Sequence, residues 1–269
     1  MTRPALLEAR ALAAELARPT PPLLVDVRWS LAGSDRAGYA AGHVPGAVFC
    51  DLDTELAGPP GEGGRHPLPG SMTPVLRRLG IGPGRDVVVY DGGAGAAAAR
   101  AWWCLRWAGH ERVRVLDGGL EAWVRAGLPL EEGDVAPVPD DAVVAQHGCM
   151  PTVTAEQLER GEATRLLDAR APERFRGEHE PVDPVAGHIP GAVSCPTTAL
   201  LGPDGCYLPP ERLREVLGID RPGAVAYCGS GVTAAQLVLA AHRAGVELAL
   251  YPGSWSHWVR DPRRPVVTG

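Results

Sequence analysis

The chain alternates short, continuous apolar runs with longer amphipathic stretches. Val/Leu-rich runs of four to six residues stop at polar or glycine-rich turns, and a helical pattern follows each. A continuous apolar run suits a strand buried on both faces, so the alternation predicts an α/β fold: parallel sheets flanked by helices. In the C-terminal half it predicts strands near Leu166–Asp168, Ala224–Tyr227 and Leu248–Leu250, and helices over Ala171–Phe175, Pro210–Leu217 and Thr233–Ala244. Near the N-terminus "LLEARALAAELA" is interrupted by Glu8, Arg10 and Glu15 and predicts an amphipathic helix rather than a leader segment. Trp102, Trp103 and Trp107 fall at near-helical spacing after Arg100 and are expected to pack in a core or at a domain interface.

The pattern is written twice. "LLVDVR" (Leu23–Arg28) returns as "RLLDAR" (Arg165–Arg170), and "AGHVPGA" (Ala41–Ala47) as "AGHIPGA" (Ala186–Ala192). "VVYDGGAG", starting at Val88, returns as "VAYCGSGV", and "VRVLDGGLEAW" (Val113–Trp123) as "LALYPGSWSHW" (Leu248–Trp258). All four blocks keep their order at a spacing of roughly 140 residues, too long for a solenoid repeat and suited to two homologous domains. These are expected over residues 1–130 and 151–269. Between them, residues 131–150 form a linker whose Pro, Gly and acidic side chains predict exposure. His43 and His188 occur in both copies and are expected to support the fold in each.

Composition narrows the chemistry. The formal charge of −6 argues against nucleic acid or an anionic membrane as partner. All 26 basic residues are Arg, so a lysine Schiff base, a lysine-held pyridoxal cofactor and a P-loop lysine are excluded. No stretch approaches the roughly 18 apolar residues of a membrane span, and a cytoplasmic location is expected. The six cysteines (Cys50, Cys104, Cys149, Cys195, Cys206 and Cys228) show no CxxC and no regular spacing, so free thiols are expected rather than disulfides or a zinc site.

One cysteine has a distinctive setting. Cys228 ends the apolar run "AVAY", and the glycine-rich "GSG" leads from it into a helix. Ligands of open α/β sheets gather where strand C-termini meet helix N-termini. A glycine-rich turn there points backbone N–H groups inward, a nest that favours a thiolate over a thiol. A cysteine phosphatase would need an arginine near the loop's end to hold phosphate, and "CGSGVTAAQ" has no cation. The remaining chemistry is sulfane-sulfur transfer, in which Cys228 attacks a donor sulfur and carries it as a persulfide.

The paired blocks and this loop resemble the tandem-domain rhodanese family of sulfurtransferases, over essentially the whole chain. The resemblance implies two rhodanese-like α/β domains, the C-terminal one carrying the catalytic cysteine and the N-terminal one inactive, with Asp91 at the position of the lost thiol. The loop "CGSGVT" is similar to the neutral, serine-containing loop of 3-mercaptopyruvate sulfurtransferases rather than to the cationic loop of thiosulfate-preferring rhodaneses. By that likeness Ser230, His66 (in "GGRHPLP") and Asp53 (in "FCDLD") form a relay, and Gly229, Gly231, Val232 and Thr233 line the bound donor. Arg174 (in "PERFRG") matches the family's carboxylate-binding arginine. A second arginine expected shortly downstream is absent, Val182 standing there; Arg28 and Arg36 are possible substitutes.

The likeness implies a small-molecule sulfur donor, 3-mercaptopyruvate or alternatively thiosulfate, and a thiophilic acceptor: cyanide, a small thiol or a thioredoxin-like protein. A non-catalytic persulfide carrier is the rival from another class. No metal or organic cofactor is implied. Trp255 follows the third strand of its copy, and the sequence leaves open whether it walls the persulfide pocket.

Overall fold

The computed structural model describes residues 4–269, and the chain divides into two compact units. The first comprises residues up to Ala57, Pro69–Cys149 and Pro203–Cys206; the second comprises Gly58–Leu68, Met150–Gly202 and Tyr207–Gly269. Two short segments therefore belong to a different unit from their chain neighbours. The stretch expected as an exposed linker, residues 131–150, groups with the first unit as far as Cys149. It is exposed along most of its length, yet Glu131 bridges His43, Asp140 N–H donates to Arg77 O and Gln146 N–H to Ala108 O.

The first unit holds β1 (Leu6–Leu7), β2 (Leu23–Asp26), the hairpin β3 (Trp29–Ser30) and β4 (Gly33–Ser34), β5 (Val48–Phe49), β6 (Val87–Tyr90) and β7 (Val113–Leu116). Its parallel sheet runs in the order β1-β7-β6-β2-β5. The expected N-terminal helix begins only at Ala9, because Leu6 and Leu7 pair instead with Val115 and Leu116 at the sheet edge. Trp102 and Trp103 are fully buried on the helix Ala96–Trp107.

The second unit repeats the plan with β8 (Arg165–Asp168), β9 (Ala192–Ser194), β10 (Ala224–Tyr227) and β11 (Ala249–Leu250), all parallel, in the order β11-β10-β8-β9. The helix Pro210–Leu217 begins with proline and ends at Gly218 in the left-handed conformation, residues that favour a helix start and stop. Both units use the same buried scaffold. In "DVR" and "DAR" the arginine folds back on the aspartate two residues earlier, Arg28 on Asp26 and Arg170 on Asp168. His43 and His188 each hydrogen-bond a carbonyl through Nδ1 and stack on an aromatic ring, Tyr39 and Phe175 respectively.

In the first unit the loop after β6 closes around the carboxylate of Asp91. Oδ1 accepts the N–H groups of Gly93 and Gly95, both at 3.0 Å, and Oδ2 those of Ala97 and Ala98, both at 3.1 Å. Burial pushes the Asp91 pKa up, and these four amides pull against it. Asp91→Ala strips four amides of their acceptor and is expected to destabilise this unit by about 2–4 kcal/mol, read as a lower melting temperature.

Candidate active site

Cys228 follows β10 directly, and the turn Gly229–Thr233 carries the chain into the helix Ala234–Ala244. The sulfur is buried, and the Gly231 N–H donates to Sγ at 3.1 Å. Gly231 has φ +82°, and a Cβ there would fall 2.3 Å from the Pro252 carbonyl oxygen, so only glycine fits this turn. Among the described residues the N–H groups of Gly229, Ser230, Val232 and Thr233 reach no acceptor. In the first unit the matching loop turns four amides onto the two carboxyl oxygens of Asp91, so this loop geometry presents several N–H donors to one acceptor group.

A second layer supports the cysteine from behind. Ser254 is fully buried with φ +54°, the one positive φ outside glycine among the described residues. Its Oγ accepts the Cys228 N–H at 3.1 Å, lies 4.0 Å from Sγ and donates to Tyr251 O at 3.0 Å. The Trp255 and Ser256 amides donate to the carbonyls of Cys228 and Gly229, both at 2.9 Å. A left-handed serine costs about 1–3 kcal/mol and persists where surrounding bonds over-determine it, as these do. Ser254 was not among the residues singled out by sequence; "PGSWSHW" gives no local signal for it. Trp255 is core and not a pocket wall. It is fully buried in the apolar cluster, its indole N–H donates to Val185 O, and Arg170 lies over its ring.

The segment Gly58–Leu68 brings His66 to this loop. Gly61 and Gly64 exchange backbone hydrogen bonds, Gly58 N–H donates to Pro67 O, and Arg65 N–H donates to Ser256 Oγ at 3.1 Å. His66 Nδ1 and Ser230 Oγ then share a hydrogen bond of 2.8 Å. Two guanidinium groups lie beside Gly229. A Cβ at that position would stand 2.8 Å from Arg65 Nη2 and 3.5 Å from Arg174 Nη1. Glu180 takes Arg174 through Nε and Nη2 and also accepts the Val182 and Asp183 amides. Burial disfavours the Glu180 carboxylate, but Arg174 and these amides outweigh it and hold its pKa below the usual range.

The structure thus brings Cys228, Gly229, Ser230, Gly231, His66 and Arg174 together in one unit, with Val232 and Thr233 leading into the helix. Asp53 lies in the first unit on the short helix Leu52–Glu55, where its Oδ1 accepts the Trp29 indole N–H at 2.7 Å. Neither Arg28 nor Arg36 offers an idle fork there. Arg28 is committed to Asp26 and the carbonyls of Gly38 and Gly42, and Arg36 pairs with Asp134 at 3.0 Å.

A doubled parallel α/β unit with a cysteine over a glycine-rich turn in one copy is the rhodanese architecture. The family model of the rhodanese-like domain matches residues 8–126 and 150–261, and the chain belongs to the rhodanese family. It is 48% identical over 276 residues to SseB of Mycobacterium tuberculosis, provisionally named a thiosulfate sulfurtransferase, covering 98% of this chain and 97% of that one. It is 46% identical over 286 residues, covering all of both chains, to a Pseudomonas aeruginosa protein provisionally named a 3-mercaptopyruvate sulfurtransferase. Among solved structures, the 3-mercaptopyruvate sulfurtransferase SseA of Escherichia coli superposes with a TM-score of 0.80 at 33% identity, covering 94% of this chain and 100% of that one. No helix among the described residues is long and apolar enough to cross a membrane.

Proposed function

We propose that this chain is a sulfurtransferase that takes the sulfur of 3-mercaptopyruvate onto Cys228 and passes it to a thiophilic acceptor. The observation that carries the reading is the Cys228 sulfur beside the Gly231 amide in a loop whose serine is hydrogen-bonded to His66. The Cys228 thiolate attacks the donor sulfur; a new S–S bond forms, the donor's C–S bond breaks, and the electron pair leaves on the enolate of pyruvate. The enolate then takes one proton. Ser230, bonded to His66, supplies a proton-carrying hydroxyl at the loop, and by family likeness Asp53 is the third residue of the relay. The persulfide's outer sulfur is then attacked by the acceptor and the Cys228 thiolate is restored. Cyanide, a small thiol or a thioredoxin-like protein are the acceptor classes, and the cytoplasm is the compartment proposed.

Thiosulfate is the second donor to test, favoured by the name of the Mycobacterium tuberculosis relative. Intact mass after brief exposure to each donor in separate tubes decides between them. One added sulfur from 3-mercaptopyruvate is the expected result. Addition from thiosulfate alone would transfer the assignment to that donor, and addition from neither would leave a passive persulfide carrier.

The relay carries its own expectation. His66→Ala is expected to lower kcat/KM for 3-mercaptopyruvate by about 100-fold or more. Thiosulfate, whose leaving sulfite needs no proton on carbon, should be far less affected. Equal losses with the two donors would remove His66 from the proton step.

A further inference from the structure

The donor of the proposed reaction is a carboxylate, and the arginine expected downstream of Arg174 is replaced by Val182. The geometry points to Arg65 as the residue that does its work. We infer that Arg65 is the principal donor-binding residue of this chain, receiving the carboxylate of an α-keto acid thiol, while Arg174 chiefly holds the acidic frame behind it. This rests on the reaction proposed above.

Three observations carry the assignment. The first is position: Arg65 Nη2 would stand only 2.8 Å from a Cβ on Gly229, closer than either terminal nitrogen of Arg174, at 3.5 and 3.6 Å. A side chain on the residue after Cys228 would displace this guanidinium, so the glycine serves the arginine as well as the turn. The second is availability. Arg174 directs Nε and Nη2 at Glu180 and Asp183, at 2.6–3.1 Å. Arg65 has a single looser ion pair, Nη2 to Asp183 Oδ2 at 3.4 Å, and its Nε is a buried donor with no partner among the described residues.

The third is placement of the chain. The Arg65 N–H is tied to Ser256, and the next residue is the histidine bonded to Ser230. One dipeptide therefore sets a cation beside Gly229 and an imidazole on Ser230, consecutive residues of the cysteine loop. Asp183 keeps the two guanidinium groups from repelling each other apart, being within 3.4 Å of Arg65 and 3.1 Å of Arg174. A planar fork with unmet N–H groups matches a carboxylate in two-point contact.

The test compares 3-mercaptopyruvate with its methyl ester, which has the same sulfur and carbonyl but no negative charge. Arg65→Gln is expected to lower kcat/KM for the acid by about 10–100-fold, mainly through KM, and to leave the ester within about threefold. Arg65→Lys keeps the charge without the fork and should fall between. It stands in for the glutamine variant if that one melts far below the wild type. An unchanged acid-to-ester ratio in the variants, whether both donors are slowed or neither, would overturn the assignment and leave Arg65 a support of its loop. Failure of the unmodified protein to take sulfur from the acid would instead sink the underlying reaction.

Discussion

Cys228→Ser is expected to eliminate persulfide formation and to lower turnover by at least about 10⁴-fold, because a hydroxyl at neutral pH neither attacks a donor sulfur nor carries one. The interest lies in why no other thiol should substitute. Burial pushes the pKa of Cys195 and of Cys206 up to about 11, and those of Cys50 and Cys104 upward as well. At neutral pH a thiol with a pKa near 11 is thiolate to only about one part in 10⁴. Cys149 is exposed, with its S–H donating to Gln146 O, and no glycine-rich nest surrounds it. Intact-mass spectra of Cys228→Ser after donor exposure should show no added sulfur. A variant with the other five cysteines replaced should load as the wild type does, and persistent loading of Cys228→Ser would place the carrier sulfur elsewhere.

Gly231→Ala is the second large effect. The added methyl must enter a backbone held at φ +82° and sit 2.3 Å from the Pro252 oxygen, well inside contact distance. The turn cannot accept it without moving, and the moving atom is the amide that donates to Cys228 Sγ. A destabilisation of about 2–4 kcal/mol is expected from the strained backbone and the clash. Sulfur loading should fall by about 100-fold or more, since the lost amide is a pre-aimed donor to the sulfur anion. Urea unfolding and single-turnover loading measure the two separately. Stability lost with loading rate retained would mean the nest does not need this amide.

Most of the second unit was legible in sequence because local and tertiary preferences agree there. "AVAY" is a continuous apolar run that fits a strand buried on both faces, and it occupies β10 as expected. Leu6 and Leu7 failed for the opposite reason: they continue a good amphipathic helical pattern, but the edge of β7 offers them hydrogen bonds and burial, and pairing prevailed. The loop Gly58–Leu68 was the least readable part. Its Gly and Pro residues carry no periodicity, and its anchoring partner Ser256 lies 191 positions from Arg65 along the chain. His66 is legible there only through family likeness, and nothing local distinguishes its neighbour Arg65 from an ordinary solvated loop arginine.

The Asp91 carboxylate gripped by four amides has a consequence for traffic in sulfur chemistry. A ligand that is part of the chain competes at an effective concentration far above that of any dissolved anion, since its binding costs no translational entropy. Thiosulfate, sulfite or polysulfide at millimolar levels therefore cannot lodge in the first unit's loop. The duplicated fold keeps one dock permanently shut, so that every sulfur atom the protein accepts is directed to a single stop.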